Sequence, residues 1–263
     1  MITKYWRLYR IFWSNAVSYE SQYRADTWLK LVTNLIWIGV LFSIIEVIFN
    51  HTNAIVGWSK PEVYFLTVIW VLMDELFITL FRENFYNFST LTVEGELDFF
   101  LIKPASTLFL VTTKKILVRA AYRFLTQLII LIWLLYHYQI ALKISYIPIF
   151  ILLLILGLII QYSYSLIFNT FSFWFLRIEN VNEALGTLQM SGRYPLEILP
   201  KTLKILSLTV LPIAFTAYLP VASILGRAPW QLIVYAALFA LVLFLISLFF
   251  WNFAVRRYSS ASS

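Results

Sequence analysis

Long apolar runs govern what this chain can become. Residues 29–49, 63–80, 116–136, 147–175 and 230–255 are five stretches, each dominated by apolar side chains. A helix rises ~1.5 Å per residue, so about 20 apolar residues cross a hydrocarbon core of ~30 Å. Each run meets or approaches that length. A sixth, 205–225, is also apolar, but Pro212, Pro220 and Gly226 interrupt or flank it. Such breakers are tolerated in membrane helices when neighbours satisfy the freed carbonyls. The apolar fraction is 61% and the charged fraction 13%, against ~45–50% and ~25% in soluble domains. The expectation is a single transmembrane domain over 1–263, an all-α, polytopic integral membrane protein with six transmembrane helices.

Charge placement gives the orientation. The net charge is +7, which alone is compatible with nucleic-acid binding. With six spans and a cytoplasmic N-terminus, however, only Lys60, Lys143 and Arg227 of the 20 Lys and Arg fall outside. This is the positive-inside pattern, so both termini are expected in the cytoplasm and nucleic acid is not an expected partner. Trp28, Trp58, Tyr64, Tyr138, Tyr146, Trp230 and Tyr258 stand near span ends, as an interfacial aromatic belt requires. The bilayer is itself a partner.

Residues 1–25 precede the first span. At 100° per residue, Tyr5, Leu8, Tyr9, Phe12 and Ala16 share one face, and Arg7, Arg10, Ser14 and Ser18 the other. That pattern fits an N-terminal amphipathic helix lying in the interface. No apolar run begins before about Leu29, too late for an ordinary cleaved leader. The serine-rich tail 259–263 reads as a frayed end.

Acids at membrane depth are costly and usually face the protein interior. Asp74 and Glu75 end the second run, and Arg119 and Arg123 stand four apart on the third at similar depth. They read either as a static ion pair or as a pair that shifts during transport. Arg119, Arg123 and Gln127 form one polar stripe, and Gln161, Ser165, Asn169 and Ser172 another. Such stripes either join helices or line a path for a substrate.

Several chemistries are missing. There is no cysteine, hence no thiolate or disulfide chemistry. His51 and His137 lie in separate short loops, which argues against a metal site. None of the seven glycines precedes a lysine, so no Walker A loop is present. No catalytic residue, cofactor-binding residue or metal ligand is expected. Energy for transport would come from another chain or from an ion gradient.

The segment between the second and third runs is Val93-Glu94-Gly95-Glu96-Leu97-Asp98-Phe99-Phe100-Leu101-Ile102-Lys103-Pro104. It resembles the Gly-Glu-Leu-Asp…Arg/Lys-Pro signature of a bacterial branch of the type-2 ABC transporter permeases. Gly192-Arg193-Tyr194-Pro195-Leu196-Glu197-Ile198-Leu199-Pro200 is similar to that branch's second signature. Leu211-Pro212, Tyr218-Leu219-Pro220, Leu225-Gly226 and the 257–262 ending follow in order.

The resemblance implies a six-span permease of a bacterial inner-membrane exporter. It implies pairing with a second, identical or different, permease subunit and with ATPase subunits that carry the ATP. Glu94, Gly95, Glu96, Leu97, Asp98, Lys103 and Pro104 would then form a cytoplasmic coupling helix. Asp74, Glu75, Arg119, Arg123, Gln127, Gln161, Ser165 and Asn169 are the intramembrane polar residues that would serve a pathway.

The resemblance also places span five at roughly 171–190 and an outer re-entrant hairpin at 195–227, so 171–227 has two readings. The hairpin moves Arg193, Lys201 and Lys204 outside, and the charge bias keeps its sign. An ion-gradient-driven carrier, using Asp74, Glu75 and Arg119 as a relay, or a membrane scaffold is the alternative function.

Overall fold

A computed structural model describes residues 2–175, 179–211 and 213–258. Arg177, Pro212 and the 259–263 tail lie outside the described residues. The first helix, α1 (Ile2–Glu20), turns through three residues into α2 (Arg24–Phe49). On α1 the expected apolar face is the packed one. Tyr5, Leu8, Tyr9, Phe12 and Ala16 are half-buried, whereas Arg7, Arg10, Ser14 and Ser18 are exposed.

Helix α3 (Lys60–Phe77) opens on a capping box, in which the Ser59 backbone N–H donates to Glu62 Oε2 at 2.8 Å. It does not stop near Leu80. A π turn, Ile78–Arg82, carries it into α4 (Glu83–Tyr86) and α5 (Phe88–Val93), a 34-residue path in all. Short helices α6 (Asp98–Leu101) and α7 (Thr107–Thr113) follow, then α8 (Val118–Tyr138), which ends at left-handed Gln139. A 3₁₀ turn leads into α9 (Ile147–Thr170). Beyond it lie α10 (Glu179–Gln189), α11 (Lys201–Thr209), α12 (Tyr218–Ile224) and α13 (Trp230–Arg256).

Five helical stretches are long and apolar enough to cross a membrane: Arg24–Phe49, Lys60–Val93, Val118–Tyr138, Ile144–Phe173 and Trp230–Arg256. The protein is an all-α, multi-pass integral membrane protein. The apolar run 205–225 is not one straight helix. Lys201–Thr209 and Ile213–Ile224 meet at 75°. At ~1.5 Å per residue neither arm alone reaches across ~30 Å. Both arms are fastened near the end of α3 that begins at Lys60. The Tyr235 hydroxyl donates to Leu208 O at 2.9 Å, the Lys143 N–H to Ile224 O at 3.0 Å, and Arg227 to Gly57 O at 3.1 Å. Arg227 also pairs with Glu62.

Two apolar cores sit at opposite ends of the bundle. One surrounds the first turns of α3 and includes Phe65, Leu66, Leu134, Leu153, Ile160 and Phe215. Gly157 is the close-approach point, since a Cβ there would lie 2.5 Å from the Phe215 carbonyl oxygen. The other core gathers Phe77, Phe85, Phe88, Leu97, Phe100, Leu110, Leu166 and Trp251. It underlies the face on which α1 lies and the last turn of α13 ends, here called the terminal face. The Lys60–Val93 path, opened by α3, is the axis of the bundle: 78% of its most apolar stretch is buried, against 17–22% for the other four spans.

Candidate functional site

The segment 94–104 is built on the terminal face. Helix α5 ends at Glu94, and Gly95 turns the chain at φ +72, a conformation that costs glycine little. The turn brings the Leu97 N–H back to Leu91 O at 3.0 Å and buries the Leu97 side chain completely. Helix α6 is a single turn. Its Phe100 enters the terminal-face core, and Phe99 and Ile102 point outward, 64% and 81% exposed. Burial at Leu97 and Phe100 holds the segment firm, because one helical turn has little stability of its own.

Both signs of charge meet on this segment: exposed Glu94 and Glu96 line a groove of about 480 Å³ together with Lys103, Lys114 and Lys115. The ammonium groups of Lys103 and Lys114 lie 4.8 and 5.0 Å from the centroid of the Phe100 ring, within cation–π range. Asp98 is half-buried at the start of α6. Exposed Pro104 is held from outside, its carbonyl accepting from Lys4 on α1. The Ser106 N–H donates to the Tyr5 hydroxyl at 3.1 Å, and the Phe109 ring packs against Tyr5 and Phe12. Helix α1 therefore braces the acidic segment directly.

Of the intramembrane residues, the structure joins one expected pair and divides the rest. Glu75, 5% exposed, accepts two bonds from Arg123 Nε at 3.0 Å each, and Arg123 Nη2 lies 2.9 Å from Oε2. Asn34 on α2 donates to the same carboxylate at 3.3 Å, and Gln127 donates to Asn34 Oδ1 at 2.8 Å. Four residues thus tie α2, α3 and α8 together, and the ion pair buried there is hydrogen-bonded as its desolvation demands. Neither Asn34 nor its role was apparent from the stripes, although an amide inside an otherwise apolar run was the available signal.

Asp74 is not part of that cluster. It pairs with Arg82, eight residues on along the same path. In an uninterrupted α-helix seven residues make about two turns. The π turn adds a residue, which aligns Arg82 beneath Asp74. Nor does Arg119 meet either acid. It faces Glu20, the last residue of α1, at 3.9 Å. An Asp74–Glu75–Arg119 relay is therefore not assembled: the three side chains belong to three separate pairs.

The second stripe faces a different neighbour. Gln161 and Asn169 are buried and Ser165 is half-buried on α9. The Gln161 amide donates to the Gln189 side chain on α10 at 3.3 Å, and the Asn169 amide to Ser165 O at 2.9 Å. Ser165 lines a cavity of about 330 Å³ with Trp70, Asp74, Arg82, Glu183, Thr187 and Gln189. Helix α10 is fixed there, its Gln189 carbonyl accepting from the Trp70 indole at 3.0 Å. Two polar regions thus flank α3: a closed cluster toward α2 and α8, and an open cavity toward α9 and α10. Among the described residues no three His, Asp or Glu come together as a metal would need.

A family model described as ABC-2 family transporter protein matches residues 35–262, leaving α1 and the start of α2 ahead of the matched stretch. No curated protein matches the chain.

Proposed function

The chain belongs to the ABC-2 transporter family, and from that premise we propose that it is the membrane-spanning permease subunit of an exporter in a bacterial inner membrane. The ATP is bound and split on separate ATPase subunits, and a second permease subunit completes the pathway. Residues Glu94–Pro104 receive the push of the ATPase on the cytoplasmic face, where both termini also lie. One observation carries this reading. The segment whose exposed acids share one groove with three lysines is also seated in the terminal-face core through Leu97 and Phe100. A rigid-body displacement applied to Phe99 or Ile102 passes through Leu97 and Phe100 into α3, α9 and α13.

The cavity beside Asp74, Arg82, Ser165 and Gln189 forms the chain's share of the substrate path. The Glu75–Arg123 cluster acts as a fixed joint. Span five, at roughly 171–190, supplies the sixth crossing that both termini on one face require, and residues 195–227 form an outer re-entrant hairpin, supported by the 75° bend and by the fastenings to Gly57 and Lys143.

The test is co-purification of the full chain with its ATPase subunit. Glu96→Lys with Asp98→Lys is expected to abolish that association while the melting temperature of the permease holds. Retained association with both lysines in place would overturn the coupling assignment. For the hairpin, a cysteine replacing Lys201 is expected to react with an impermeant reagent added to intact cells, and protection there sinks that part of the proposal.

A further inference from the structure

Where α1 turns into α2, a groove of about 600 Å³ opens between that corner and α8. Its two ends differ in chemistry. Glu20, Arg24 and Thr27 line the end at the corner, and Trp28, Leu31 and Leu125 form walls that continue along the spans. Trp28 is 69% and Leu125 53% exposed, so the walls present a large uncovered apolar surface.

The charges at the corner do not cancel. The Glu20 carboxylate accepts the Thr27 hydroxyl at 2.6 Å and is offset by Arg119 at 3.9 Å. Asp26, the acid nearest Arg24 in sequence, is taken by Lys30 at 2.8 Å. Arg24 is exposed and has no hydrogen-bond or ion-pair partner among the described residues. One uncompensated guanidinium therefore stands at the head of an apolar trough, at the depth where the interfacial helix meets the first turn of a span.

We infer that this groove seats a phospholipid, with its phosphate on Arg24 and an acyl chain along Trp28, Leu31 and Leu125. A guanidinium binds phosphate oxygens through paired, charge-assisted donors. The order of polar and apolar surface matches a lipid that enters headgroup toward the terminal face and tail along α2. A free anion would leave the walls uncovered. The seated lipid also lies against Val17 and Glu20, so it holds the end of α1 on α8.

Native mass spectrometry of the full chain, extracted in mild detergent and re-exposed to vesicles of phosphatidylethanolamine and phosphatidylglycerol, tests this. Wild type is expected to retain a phospholipid through a detergent wash. Arg24→Glu should lower its occupancy about tenfold, as expected for loss of a charge-assisted contact. Arg7→Glu, which alters an exposed guanidinium on the opposite face of α1, should leave it unchanged. If Arg24→Glu melts abnormally, Arg24→Gln serves instead, with a smaller loss expected. Equal retention by wild type and a well-folded Arg24 variant overturns the inference. So does displacement of the lipid by inorganic phosphate alone, which would mark a simple anion site. The chain has no cysteine, so Leu125→Cys reports cleanly on the remaining case: an interchain disulfide there would make the groove a protein interface and also overturn it.

Discussion

Helices α3 and α13 are both membrane spans, and their hydropathy ranks them in the wrong order for burial. The most apolar stretch of α13 has a mean hydropathy of 2.9 and is 17% buried, whereas that of the Lys60–Val93 path, which α3 opens, has 1.9 and is 78% buried. In water the more apolar helix would be the one inside. In a bilayer lipid is as good a solvent for Leu as protein is, so apolarity marks what can face lipid. The helix that protein must enclose is the one with something to hide, and α3 carries Asp74 and Glu75. Apart from Trp251, which enters the terminal-face core, helix α13 instead contacts its neighbours through small side chains: Ala236, Ala240, Ser247 and Ala254 are buried, and Phe249 turns outward.

Four substitutions, followed by thermal unfolding in detergent micelles, test that ranking. Arg123→Leu leaves the buried Glu75 carboxylate without its cation, and a loss of about 4 kcal/mol is expected. The double replacement with Glu75→Leu should recover most of it, and no recovery would mean the pair is not what confines α3. Leu66→Ala, at a fully buried position in α3, is expected to cost about 3 kcal/mol. Ala240→Leu overfills the small-residue seam of α13 and should cost about 2 kcal/mol. Phe249→Ala removes the larger apolar group yet should cost less than about 0.5 kcal/mol, because that ring is 74% exposed. A Phe249 effect equal to that of Leu66 would show that α13 is covered by another chain.

The same distinction decides what could be read in the sequence. The spans were legible because length and apolarity are set by the hydrocarbon thickness. Arg24–Phe49 begins five residues before the expected 29–49, since Asp26 and Lys30 pair with one another and are tolerated in the first turns. The packed face of α1 was legible from its 3.6-residue period. Which span is central was not, since lipid-facing and protein-facing Leu look alike. The Glu75–Arg123 pair followed from matching depth, whereas the partner of Asp74 depended on a π turn that no residue pattern announces. Glu20 closing on Arg119 required knowing how sharply α1 folds back. Within 94–104, the sequence marked a charged apolar segment at the right place, but part of its firmness comes from Leu166 and Trp251, which are distant along the chain.

The π turn at Ile78–Arg82 has a mechanical side as well. One added residue shifts the phase of everything after it by about 100° about the helix axis. The half of this path that begins at Lys60 can thus keep its lock with α8 and the bent arms, while the half beyond Arg82 aims its acidic tip in a different direction. Aim and anchorage are set independently on a single rod, and the removal of one residue would re-point the tip without loosening the anchor.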